Sequence, residues 1–107
     1  NEQLAGLAGV VTPPITEGNV SVYNQYVIRA ERRDELQQHL IANEVGGGIY
    51  YPLGLHEQEC FGSLGHVHGD FPETERAADE VLALPIYPEL SDEQVAFVAQ
   101  TIREFYT

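Results

Sequence analysis

From Val20 to Arg29 the chain alternates with a period of two. Val20, Val22, Asn24, Tyr26 and Ile28 share one face, and Ser21, Tyr23, Gln25, Val27 and Arg29 the other, which predicts a strand. Both faces carry apolar groups, so this strand is expected at the centre of a sheet. From Glu31 to Asn43 the spacing becomes helical, with Leu36, Leu40 and Ile41 on the buried side. Gly46-Gly47-Gly48 follows, and Ile49-Tyr50-Tyr51 predicts a short extended segment stopped by Pro52. The stretch from Leu53 to Asp70 is irregular and holds four glycines and three histidines.

Pro72 suits the first turn of a second helix, and Glu73 and Glu75 favour its positive end. Ala77, Ala78, Val81 and Leu82 give that helix an apolar stripe, and Pro85 ends it. Leu84 to Tyr87 is expected to form a short strand. Ser91 and Gln94 have the capping-box spacing. Val95, Val98, Ala99, Ile102 and Phe105 then line one face of a final helix. At the start, Leu4 and Leu7 with Gly9 as a stop read as the tail of a helix, followed by a short extended piece to Val11. Strands separated by helices, with no repeat and no phosphate-binding glycine motif opening a helix, predict a single small α+β sandwich.

Composition narrows the chemistry. The 107 residues include 5 Lys+Arg against 17 Asp+Glu, a formal net charge of −12. All the basic residues are arginines: Arg29, Arg32, Arg33, Arg76 and Arg103. Without lysine, no Schiff base can form on this chain. Without methionine, Asn1 is not expected to be a natural translation start. The acidic balance argues against nucleic acid and anionic membrane as partners, because both require clustered cations. No apolar run approaches the roughly 20 residues of a membrane helix. Cys60 is the single cysteine, which excludes an internal disulfide and fits a reducing, cytoplasmic setting.

Four groups of residues carry candidate chemistry. His56, Cys60, His66, His68 and Asp70 are metal-ligand types within fifteen residues, but their spacing matches no established site, and solvated loop groups explain them better. Cys60 beside a histidine is a possible nucleophile. Glu57 and Glu59 would raise its thiol pKa, so a buried, inert Cys60 is the expectation. Gly46-Gly47-Gly48 offers amides to an anion, yet lacks the lysine and hydroxyl of a P-loop and opens no helix, which favours simple backbone freedom. Tyr50, Tyr51, Pro52 and His56 either line a polar ligand site or pack as strand-end aromatics with hydroxyls in water. The residues alone leave both open.

Three strings carry a resemblance: SVYNQYVIRAERRDELQQHL, GGGIYYPLGLHEQECFGSLG and GDFPETERAADEVLALPIYPELSDEQV. They resemble the C-terminal part of the DegT/DnrJ/StrS sugar aminotransferases, pyridoxal-phosphate enzymes that place an amino group on a nucleotide-linked keto sugar. The resemblance runs from about Leu4 to the end. It implies the small C-terminal domain of a fold-type I aminotransferase: a two-layer α+β sandwich with a short, mostly antiparallel sheet. The domain would occupy residues 1–107, with residues 1–14 a remnant of the preceding helix and linker, and the large cofactor-binding domain absent.

The resemblance assigns substrate binding to Tyr50 and Tyr51, which match a Tyr-Tyr-Pro variant of the family motif, and to His56 of the following Leu-His pair. Gly54 stands where the family usually has a proline. It implies no catalytic, cofactor-binding or metal-binding residue in this chain, because the aldimine lysine belongs to the large domain. Pyridoxal phosphate, the keto sugar and an amino donor would bind only when that domain is joined. Alone, the chain would be inactive. The alternative is a stand-alone, non-catalytic binding module, self-associating through the apolar face the missing domain leaves bare.

Overall fold

The structure, a computed structural model, describes residues 1–107. Three strands form one antiparallel sheet in the order β1-β2-β3: β1 (Val10–Val11), β2 (Tyr26–Ala30) and β3 (Val81–Leu84). Three helices accompany it: α1 (Arg33–Ala42), α2 (Pro72–Glu80) and α3 (Asp92–Tyr106). The architecture is α+β, as the pattern predicts, and β2 is central.

The expected strand from Val20 is shorter at its start. Tyr23 has φ 45°, and its N–H bonds back to Ser21 Oγ at 3.1 Å. This local turn breaks the extended run, so pairing begins only at Tyr26. Val20 and Val22 are left 92% and 91% exposed.

Helix α1 buries Leu36 and Leu40, whereas Ile41 lies outside the core. The helix ends before the glycines are reached. Val45 N–H bonds to the Leu40 carbonyl at 2.9 Å and Glu44 N–H to that of Ile41 at 3.0 Å, with Glu44 at φ 60°. This is a Schellman motif that uses glutamate where glycine is usual, closed by contact between the buried Val45 and Leu40.

The expected second helix and following strand exchange residues. Helix α2 stops at Glu80, and Val81–Leu84 pairs residue by residue with Tyr26–Arg29. A strand over Leu84 to Tyr87, as the sequence suggested, would include Pro85, which has no N–H to donate. Arg33 satisfies the freed carbonyls at the break: its Nη1 donates to Ala78 O at 2.9 Å and Val81 O at 2.8 Å. Helix α3 has the predicted capping box, with Gln94 N–H bonding to Ser91 Oγ at 3.2 Å and Ser91 N–H to Gln94 Oε1 at 2.9 Å.

The core lies between the sheet and helices α1 and α3. Ile28, Leu36, Leu40, Leu82 and Ile102 are its largest fully buried side chains. The opening residues belong to it as well. A 3-10 turn over Glu2–Leu4 replaces the expected helix tail, Leu4 packs in the core, and Arg103 of α3 donates to the carbonyls of Gln3 and Ala5.

Candidate functional site

The free edge of β3 positions the site. Gly48 N–H bonds to Ala83 O at 3.0 Å, and Ala83 N–H bonds to Gly48 O at 2.8 Å. A Cβ on Gly47 would lie 3.2 Å from that same Ala83 oxygen, so glycine lets the chain run close along the edge. The Gly48 amide is therefore committed to the sheet, and a phosphate cradle loses its central donor. Ile49 packs against the core, after which the chain turns outward. Tyr50 and Tyr51 are 57% and 66% exposed, and the Tyr50 ring lies beside Gly48.

His56 faces the opposite way. Its side chain is only 6% exposed. Its Nε2 lies 2.8 Å from Glu75 Oε1, and its ring meets Phe71 edge-on at 4.8 Å between centroids. Gly54 creates this arrangement. A Cβ there would sit 2.6 Å from Cε1 and 2.8 Å from Nδ1 of His56, so the imidazole fills the space that any larger residue would need. The three sequence-predicted site residues thus divide into two exposed phenols and one enclosed imidazole.

Two further residues join the imidazole. Glu75 Oε1 also accepts Gly69 N–H at 2.6 Å. His68 Nδ1 lies 2.6 Å from Glu57 Oε1 and 3.9 Å from Glu75 Oε1. For Glu75, burial pushes the carboxyl pKa up. Hydrogen bonds from His56 and Gly69, with the charges of His68 and His56, outweigh it and hold the group below the usual carboxylate range. The hydrogen bond to Glu57 raises His68 above the ordinary imidazole value, and the charges of Glu75, Glu57 and Asp79 add to it.

The sequence reading missed Glu57 and Glu75, taking Glu75 only as a favourable charge near a helix start. Glu75 precedes Ala78 by three positions and Leu82 by seven, which places it on the buried stripe. A carboxylate on that stripe requires a buried partner, and this was the available signal.

Two other candidates separate from this cluster. Cys60 is exposed rather than buried, because it sits on a 3-10 turn, Glu59–Leu64, that buries no residue. His66 packs on the outer side of Phe71 at 5.0 Å, with Nδ1 3.5 Å from Asp70. Elsewhere, an open apolar cleft of about 600 Å³ is lined by Leu4, Tyr26, Leu84, Ile86, Leu90 and Val98 among others. No helix is long and apolar enough to cross a membrane.

Comparison with known proteins agrees with this architecture. The chain is 50% identical over 97 residues to a pleiotropic regulatory protein of Geobacillus stearothermophilus, covering 91% of this chain and 26% of that protein. It is 37% identical over 100 residues to the dTDP-3-amino-3,4,6-trideoxy-alpha-D-glucose transaminase of Micromonospora megalomicea, covering 92% and 27% respectively. The solved structure of S. venezuelae DesV in complex with a ketimine intermediate superposes with a TM-score of 0.94 at 33% identity, over 98% of this chain and 28% of that one. An aminotransferase from Brucella abortus superposes with a TM-score of 0.86 at 33% identity, over 99% and 28%. The chain therefore spans about a quarter of the length of the relatives it matches, in their C-terminal part. A family model described as the DegT/DnrJ/EryC1/StrS aminotransferase family, one of pyridoxal-phosphate enzymes, matches residues 1–103. With the family model matched over nearly the whole chain and the relatives in agreement, this chain belongs to the DegT/DnrJ/EryC1/StrS aminotransferase family.

Proposed function

We propose that residues 1–107 are the small C-terminal domain of a nucleotide-sugar aminotransferase, which transfers an amino group from a donor to a keto sugar. The observation that carries this reading is the presentation of Tyr50 and Tyr51. The Gly48–Ala83 bridge fixes their base on the sheet edge, and both rings stand in solvent, where they supply one wall of a site completed from outside this chain. Their hydroxyls and faces suit a sugar, which offers hydroxyl groups and apolar ring surfaces. His56 acts through Glu75, holding the loop that carries the tyrosines.

Pyridoxal phosphate does not fit this chain alone. The sequence has no lysine, and the exposed tyrosines adjoin Pro52, Leu53 and Gly54 rather than a cation. Cofactor and phosphate contacts are assigned to the remaining three quarters of the protein. That part would also cover the apolar cleft beside Tyr26 and Leu84; without it, the domain is expected to self-associate. A cytoplasmic location fits the single cysteine.

The test uses the protein at its natural length, loaded with pyridoxal phosphate. Tyr50→Phe and Tyr51→Phe should raise KM for a nucleotide-linked keto sugar with little change in melting temperature. Unchanged KM in both would remove the tyrosine wall. An aldimine absorbance band on the 107-residue chain alone would overturn the division of labour. A second reading, a non-catalytic module, is favoured by one observation: the relative sharing 50% identity is named a pleiotropic regulatory protein. Absence of transaminase activity in the natural-length protein would select it.

A further inference from the structure

We propose that His56, Glu57, His68 and Glu75 form a binding site for a divalent cation of the zinc class, closing the 53–71 loop onto α2. The sequence reading scattered candidate ligands over His56, Cys60, His66, His68 and Asp70. Folding selects a different set and adds two carboxylates that reading did not include.

Geometry is the first argument. One ligand atom each from His56, Glu57 and Glu75 lies within 4.8 Å of the others. His56 Nε2 is 2.8 Å from Glu75 and 4.0 Å from Glu57. His68 Nδ1 is 2.6 Å from Glu57 and 3.9 Å from Glu75. Four ligands about 2.0–2.1 Å from a tetrahedral ion stand roughly 3.3 Å apart. The observed separations fall on both sides of that value; His68, outside the 4.8 Å group and with a side chain 77% exposed, is the ligand that swings inward on binding.

Charge is the second argument. Two carboxylates converge on a partly enclosed spot, with Glu75 buried. No arginine answers them: Arg76 on the same helix pairs with Glu73 and Glu80, Arg29 with Glu80, and Arg33 with Asp34. Two imidazoles and two carboxylates match the nitrogen and oxygen preferences of Zn²⁺.

The surroundings are the third argument. Gly69 N–H already donates to Oε1 of Glu75, the oxygen that faces His56, and Phe71 packs against the His56 ring. Outer contacts of this kind orient ligands in metal sites. On binding, the ion takes the lone pairs of His56 Nε2 and His68 Nδ1, and any proton on those atoms leaves to water or moves to the other ring nitrogen. Four protein ligands leave no open position, so the role is structural.

The protein at its natural length, stripped with a chelator and titrated with Zn²⁺ alone, should retain one equivalent per chain through gel filtration. Co²⁺ in its place should show the intense visible bands of tetrahedral coordination. His68→Ala and Glu57→Gln change the outer half of the site and spare the buried His56–Glu75 pair, so the fold should survive. Each should weaken Zn²⁺ binding by more than the roughly 10–100-fold typical of an outer-shell partner. Cys60→Ser and His66→Ala should leave it unchanged. No stoichiometric Zn²⁺ in the wild-type protein would overturn the proposal, as would equal affinity in His68→Ala and Glu57→Gln. Loss of binding in Cys60→Ser would also overturn it. These readouts involve no transamination, so they stand or fall separately from the aminotransferase reading.

Discussion

Replacing Arg33 tests how α1, α2 and β3 are joined. Its guanidinium is buried, and Nη1 donates to the carbonyls of Ala78 and Val81, where α2 ends and β3 begins. Hydrogen bonds from charged groups contribute about 1.5–3 kcal/mol each, so the pair sets a range of roughly 3–6 kcal/mol. Val81 is half-buried, and water reaching its carbonyl in a truncated variant returns part of this. Arg33→Ala should therefore cost about 3 kcal/mol, against a total of roughly 5–15 kcal/mol for a domain of this kind.

A competing explanation is the ion pair of Arg33 Nε with Asp34 at 2.6 Å. Asp34 is 83% exposed, and exposed pairs typically contribute below about 1 kcal/mol. Asp34→Asn should thus change stability by less than about 1 kcal/mol. Arg33→Lys should fall between, because a single ammonium cannot reproduce the planar fork. Urea denaturation of the three variants gives the comparison. If Asp34→Asn costs as much as Arg33→Ala, the ion pair is the source and the carbonyl clamp is refuted. If Arg33→Ala lies within about 1 kcal/mol of wild type, neither interaction stabilises the break.

Other substitutions have signs fixed by backbone and solvent. Glu44→Gly should stabilise by up to about 1 kcal/mol in urea denaturation, because it relieves a left-handed φ that costs a side-chain residue about 1–2 kcal/mol and gives back part as unfolded-chain entropy. Gly54→Ala should force the His56 ring from Glu75, at about 1–3 kcal/mol, visible as a changed His56 imidazole resonance. Ser91→Ala should cost about 1 kcal/mol through loss of the α3 cap. For Tyr106, burial raises the phenol pKa, with a further contribution from the charge of Glu31; for Tyr26, burial again dominates, followed by Tyr23. A folded-state pKa above the unfolded value of about 10 means stability is fully present below that pH and is lost as pH rises through the raised values. Urea midpoints should therefore fall on the alkaline side, and Tyr106→Phe should flatten that fall.

Elements governed by local signals were readable in advance. Ser91 and Gln94 announced the start of α3, and the even-odd pattern around Tyr26 and Ile28 announced the central strand. Junctions decided by tertiary partners were not. Val81-Leu82 suits a helix stripe as well as a strand, and only pairing with β2 together with the Arg33 clamp selects the strand. The helix end near Asn43 was legible, but Glu44 carries no residue-type signal for a left-handed cap, so the Schellman closure was not. In the candidate site, the motif singled out Tyr50 and Tyr51, which the structure leaves exposed, but the inward turn of His56 depends on an empty Cβ position at Gly54 and on Glu75 nineteen residues later. Residue type alone suggested burial for Cys60, but its turn buries none of its residues.

On the proposed reading, the charge distribution says which part of substrate recognition residues 1–107 can supply. A nucleotide-linked sugar has one neutral end and one anionic end. Phosphate groups require arginines or lysines, or helix N-termini with free amides. Here the arginines already pair with Asp34, Glu35, Glu73 and Glu80, and Arg103 holds the opening turn. The α2 N-terminus carries Glu73 and Glu75 in its first turn, and that of α3 carries Asp92 and Glu93, so both already have negative charge beside them. What remains outward at the sheet edge is uncharged: two phenols on a backbone fixed at Gly48. On the proposed reading the domain contacts the sugar ring, and an anion-binding surface elsewhere in the protein holds the nucleotide. Substitutions at Tyr50 and Tyr51 should then weaken a nucleotide-linked sugar while leaving the affinity of the free nucleoside diphosphate unchanged, measured by calorimetry on the natural-length protein. Equal losses for both ligands would place the phosphates against this domain and refute the division.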